Sequence, residues 1–192
     1  MKRIKISEIQ TGDLLFLHGD SWLAKQIQES QRDKGNEHWY LNHVGVFIWE
    51  STILCVGEED YPGRFDLSVF KSQYIDLNKD VYLGRFNKEL TGELKLKLQL
   101  EFLTEASENR LTNYGYLDIL AFKVNSLIFK WFKKDVWIGR KENKRDRYTC
   151  SQRTARFIQD YYGLLKDENY LKYTPADLAD ENFIEICRIS FS

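Results

Sequence analysis

Between Asp13 and Phe86 the chain carries one kind of signal, and beyond Phe86 it carries another. DLLFLH (13–18), NHVGVFIW (42–49), TILCVGE (52–58) and DVYLGRF (80–86) are short runs rich in branched and aromatic residues, as strands are. The second and third are joined by the polar pair Glu50-Ser51, a spacing that predicts a hairpin. SWLAKQIQESQRDK (21–34) reads as a short helix between the first two strands, with Asp20 or Ser21 as its cap. After Phe86, TGELKLKLQLEFLTEASE (91–108) reads as a helix capped by Thr91, although its first leucines alternate and keep a strand reading open. YLDILAFKVNSLIFKWFKK (116–134) is a second, more apolar helix, and KENKRDR (141–147) a solvated loop. TPADLAD (174–180) starts a helix with Thr174 as cap and Pro175 in its first turn, and FIEICRIS (183–190) closes the chain as a strand. Strands and helices that segregate rather than alternate predict an α+β fold, with a mainly antiparallel sheet packed against helices. With 192 residues, two prolines and no repeat, the whole chain, 1–192, reads as one domain.

Within this frame one cysteine is unusually placed. RYTCSQRTARF (147–157) sets Cys150 behind a charged stretch and at the head of a helix that should run to Gly163, where glycine accepts a left-handed turn. Thr149 and Gln152 match the capping-box pattern, which makes Cys150 the first helical residue. There the positive end of the helix dipole favours a thiolate, and first-turn N–H groups offer donors to an oxyanion. A buried cysteine that merely fills core is the plain alternative. Cys55 and Cys187 sit inside strands and read as inert packing. Three widely spaced cysteines with no CxxC pair argue against both a disulfide framework and a cysteine-built zinc site.

A nucleophilic thiol needs a base, and the chain has three histidines. His43 opens a strand with apolar neighbours and ranks first. His18, ending a strand before Gly19, ranks second, and His38, in the polar KGNEHWY loop, third. A base is usually oriented by a further acceptor, and in a hairpin the strand after His43 returns past it. Glu58 is the choice for that role and Glu59 the alternative, the two pointing to opposite faces because side chains alternate along a strand.

Composition narrows the partners. A net charge of -1 does not point to nucleic acid or an anionic membrane. The amino terminus has no apolar run of the secretory kind, and 116–134 is broken by Asp118, Lys123, Asn125 and Lys130, so a cytoplasmic address is expected without a transmembrane segment.

TGDLLFLHGDSWLAKQI, HVGVFI, YTCSQRTARF and TPADL, in that order, resemble the circularly permuted branch of the NlpC-type papain-like superfamily. That branch includes the YiiX-type bacterial proteins and is related to lecithin:retinol acyltransferase. The resemblance runs from about Ile9 to Leu178. It implies a permuted papain-like fold in which the histidine strand precedes the cysteine helix, with Cys150 as nucleophile and His43 as general base. The third polar residue falls on Glu58, here followed by Glu59 and Asp60, and the Gly12-Asp13 pair falls on a structural turn. The implied activity is cysteine-dependent hydrolysis of an amide or ester carbonyl through an acyl-enzyme, peptidase- or amidase-like, with no metal or organic cofactor. The partner would be a peptide-like or acyl small molecule. The alternatives are an acyltransferase or thioesterase acting on lipid acyl groups, for which 116–134 could lie beside the site, and a non-catalytic binding module that keeps the fold.

Overall fold

A computed structural model describes residues 1–60, 64–108, 121, 123–125, 128, 130–131, 148–165 and 169–190. Its centre is β2 (Leu14–His18), where Leu14, Leu15 and Phe16 are all wholly buried. A run of three apolar residues suits a strand covered on both faces, and two layers of core do cover it. β3 (His43–Glu50) and β6 (Asp80–Phe86) pair antiparallel with its two edges. β4 (Ile53–Asp60) pairs antiparallel with β3, and β5 (Arg64–Val69) with β4. On the other side β7 (Ile184–Ser190) lies antiparallel to β6, and β1 (Arg3–Lys5) lies parallel to β7. The sheet therefore has seven strands in the order β1-β7-β6-β2-β3-β4-β5, mostly antiparallel, as the segregated sequence pattern predicts.

Side chains alternate between two cores. One face carries Phe16, Val44, Val46 and Ile48, covered by α2 (Gly92–Glu108), α3 (Cys150–Phe157) and the turn after it through Leu98, Phe102, Ala155 and Ile158. The other carries Leu15, Phe47, Val56 and Leu83, covered by Phe70 and Tyr74 from a wide helical turn, Lys71–Ile75, that follows β5. Phe47 meets Phe70 edge to face at 5.1 Å between ring centroids, and Phe70 stacks on Tyr74 at 5.6 Å.

The helix boundaries follow local chemistry. α1 (Trp22–Lys34) starts at Ser21, whose Oγ accepts from Ala24 N, and ends at Gly35 with φ 87°. α3 starts at Thr149 with both capping-box bonds made, continues through a wider turn over Ile158–Tyr162 and stops at Gly163 with φ 68°. α4 (Pro175–Ala179) starts at Thr174, which accepts from Asp177 N.

Some expectations shift. The hairpin turn between β3 and β4 is Ser51-Thr52, one residue later than Glu50-Ser51, and Ser51 takes φ 54°. Two edge strands, β1 and β5, join the sheet although the sequence pattern did not announce them. Of the helix expected over 116–134, residues 121, 123–125, 128, 130 and 131 are described and helical. The rest of it, and the loop expected over 141–147, lie outside the described residues.

The Gly12-Asp13 turn holds the start of β2. Gly12 takes φ 98°, and the buried Asp13 carboxylate accepts from Gln10 N and from Arg85 Nη2 at 2.6 Å. Cys55 and Cys187 are buried, and burial pushes both thiols up, away from reactivity.

Candidate active site

The first residue of β3 is fixed before its side chain does anything. Gln31 Nε2 of α1 donates to the carbonyls of Trp39 and Leu41 at 2.8 Å each, and Gln28 Nε2 donates to those of Gly19 and Tyr40. Asn42 Nδ2 donates to Gly19 O at 3.0 Å. The carbonyls of residues 39–41 are thus satisfied as the chain enters β3, and His43 stands at the rim of the sheet.

Its ring has two partners. Nε2 is hydrogen-bonded to Glu58 Oε2, and the Cys150 side chain forms the second hydrogen bond to the imidazole. Val46 pairs with Gly57, so Gly45 lies opposite Glu58, and Glu58 shares a sheet face with His43 two residues along. The other Glu58 oxygen, Oε1, accepts from Ser68 Oγ at 2.9 Å and from Tyr74 OH. Ser68 comes from β5 and Tyr74 from the wide turn, so three elements hold one carboxylate. Neither residue is singled out by sequence, because only the β4–β5 register and the turn bring them there.

Cys150 is buried, 3% exposed, at the N-terminus of α3. That terminus is tied down on its far side. Ser151 Oγ donates to Tyr173 O at 2.7 Å, and Gln152 Nε2 to Leu171 O at 2.8 Å, while Gln152 Oε1 accepts from Thr149 N.

The electrostatics follow from this geometry. The His43 side chain is 20% exposed, and burial pulls against its cationic form. The negative charges of Cys150 and Glu58, with a hydrogen bond from each, outweigh that and hold its pKa well above the ordinary histidine value. Burial would likewise raise Glu58, but the His43 charge and the bonds from His43, Tyr74 and Ser68 hold its carboxyl below the usual range. The ring thus lies between the two groups, sulfur and carboxylate, that favour its cationic form. With Nε2 committed to Glu58, Nδ1 is the nitrogen left to exchange a proton with the thiol.

The other sequence candidates lie elsewhere. His18 faces Asp80 at 3.5 Å and Asp20 at 3.9 Å, and His38 Nδ1 meets Asp180 at 2.7 Å. Glu59 faces the opposite side of the sheet from Glu58, is fully buried, and lies 3.9 Å from Arg153.

A polar cleft of about 290 Å³ opens beside His43 and Glu58, walled by Asp66, Ser68, Gln73, Tyr74 and Lys79. A larger, apolar cleft of about 540 Å³ lies at the other end of β3, around Trp49, Leu54 and Phe70. Among the described residues no group of three or more His, Cys, Asp or Glu side chains could hold a metal ion. In the site itself the ring engages both thiol and carboxylate, so these donors are spent on one another. No described helix is long and apolar enough to cross a membrane.

No protein-family model and no curated protein matches the chain. Among solved structures it is similar to the crystal structure of the metalloprotein YiiX from Escherichia coli O157:H7, with a TM-score of 0.51 and 16% sequence identity. The match covers 95% of this chain and 98% of that one. At this identity the likeness concerns architecture: the chain has a YiiX-like α+β fold.

Proposed function

We propose that this chain is a cysteine-dependent hydrolase of the permuted, NlpC-type papain-like kind, acting on amide carbonyls in polar, peptide-like substrates. One observation carries the reading: the His43 ring is hydrogen-bonded at once to Cys150 and to Glu58. With His43 held cationic, the resting pair is a thiolate and an imidazolium, so the nucleophile is formed before substrate arrives. The Cys150 sulfur attacks the carbonyl carbon, and the oxyanion develops beside the first-turn N–H donors and dipole of α3. His43 Nδ1 gives its proton to the leaving amine as the C–N bond breaks, leaving a thioester on Cys150. The neutral ring then takes a proton from water, which attacks the thioester and releases the acid. Glu58 keeps Nε2 protonated throughout and stabilises each return to the cation.

The polar cleft favours peptide-like substrates over fatty acyl groups. Its walls, Asp66, Gln73 and Lys79, stand on the Glu58 side of the ring rather than beside the sulfur, and surround the base with polar groups that suit an amide-bearing substrate better than a fatty chain. The apolar cleft lies six residues further along β3, about 20 Å away at 3.3 Å per residue.

Intact-mass spectrometry after incubation with a panel of aminoacyl and peptidyl p-nitroanilides tests the reading. The expected result is p-nitroaniline release with a transient peptidyl or aminoacyl adduct on Cys150, both lost in Cys150→Ala. Adducts formed only with fatty acyl thioesters would transfer the reading to the acyltransferase class. Turnover that survives Cys150→Ala, or an inert Cys150 with every substrate, would overturn it.

A further inference from the structure

Glu59 does not reach His43, yet a carboxylate is costly to bury without a cation near it. Its neighbour is Arg153 of α3, with Nη1 3.9 Å from Glu59 Oε1, and Arg153 Nη2 also pairs with Glu105 of α2. The guanidinium is packed between rings, 4.9 Å from the Phe65 centroid on β5 and 5.6 Å from that of Tyr148, just before the α3 cap. Arg153 stands three residues after Cys150, so the two project from the same side of the helix. The adjacent residues Glu58 and Glu59 therefore serve the two halves of one site from opposite faces of β4. The first is hydrogen-bonded to the base, and the second lies at ion-pair distance from the helix that carries the sulfur.

We propose that Glu59 and Arg153 form a positioning pair that sets where α3, and with it Cys150, stands against His43. The far flank of the helix end is already fixed by the Ser151 and Gln152 bonds to the 171–173 carbonyls. The Glu59–Arg153 pair supplies the anchor on the sheet side. A planar guanidinium held by two carboxylates and two rings has few ways to shift, which suits it to fixing the rotation and height of a helix as short as eight residues. The inference rests on the Cys150–His43 reading for its purpose, but its test reads geometry rather than turnover.

The measurement is the titration of the His43 imidazole by NMR in wild type, Cys150→Ser, Arg153→Lys and the double variant Glu59→Gln/Arg153→Met. The double variant removes both charges of the Glu59–Arg153 pair and leaves only Glu105, a third exposed, without its cation. Cys150→Ser gives the drop in the His43 midpoint when the sulfur charge is gone. A double variant that is folded by circular dichroism is expected to show at least half of that drop, because α3 has moved the sulfur from the ring. Arg153→Lys, which keeps the charge and loses the fork, is expected to show a smaller drop of the same sign. A folded double variant that titrates like wild type overturns the proposal, since the pair would then contribute stability alone. Should the double variant fail to fold, Arg153→Lys decides by the same criterion. A wild-type midpoint equal to that of Cys150→Ser overturns it as well. Failure of the hydrolase reading shows separately, as absence of Cys150-dependent turnover in a protein whose His43 titration still responds to Arg153.

Discussion

Glu58 and His43 are diagonal neighbours on one face of the β3–β4 pair, with Gly45 between them. A Cβ built on Gly45 would sit 2.7 Å from Val56 Cγ1 and 3.2 Å from Glu58 Cβ. Gly45→Ala must therefore push Val56 or Glu58 aside. It is expected to cost about 1–3 kcal/mol in urea unfolding and to slow the alkylation of Cys150. Wild-type stability and alkylation in this variant would show that Glu58 has room to spare.

His43→Ala is expected to slow iodoacetamide labelling of Cys150 at pH 6 on the order of 10-fold. An ordinary thiol with a pKa near 8.5 is only about 0.3% thiolate at that pH, and the greater intrinsic reactivity of the more basic sulfur offsets part of the loss. An unchanged labelling rate, measured by mass spectrometry at Cys150, would mean that the ring does not activate the sulfur.

The charged pair should also leave its mark on the pH dependence of stability. Glu58 has a lowered pKa, so its contribution is present above the ordinary carboxyl value of 4.5 and disappears as pH falls through its folded value. His43 has a raised pKa, so its contribution is complete below the ordinary 6.5 and disappears as pH rises through its folded value. The difference in urea midpoint between wild type and Glu58→Gln is expected to be greatest between about pH 4.5 and 6.5 and to shrink on both sides. A difference that does not vary with pH would contradict the ion-pair account.

Ser68→Ala and Tyr74→Phe each remove a donor to the charged form of Glu58. Each is expected to cost about 1.5–3 kcal/mol at neutral pH. Each should also raise the folded pKa of Glu58, so that acid destabilisation begins at a higher pH than in wild type. Acid-unfolding curves that coincide with wild type would assign both residues to packing alone.

The parts of the site that were legible in the sequence are the parts fixed locally. Thr149 and Gln152 mark the start of α3 within four residues, which places Cys150 in the first turn without tertiary information. The choice of Glu58 over Glu59 was legible for a related reason. A turn at Glu50-Ser51 and the actual turn at Ser51-Thr52 differ by one residue on each arm, and both put Glu58 on the His43 face. Ser68 and Tyr74 were not legible, because their nearness to Glu58 depends on β5. That edge strand turns Asp66 and Ser68 to the polar cleft and so lacks the apolar run that marks β2 or β3. β1, three residues long, is too short for any period to show.

The sulfur and the imidazole come from opposite halves of the chain and meet only when α3 docks over β3 and β4. An unfolded or half-made polypeptide therefore carries Cys150 as an unremarkable thiol, no more prone to alkylation or oxidation than Cys55 or Cys187. On the proposed mechanism reactivity requires both halves, so labelling of Cys150 during refolding would serve as a clock for when they join.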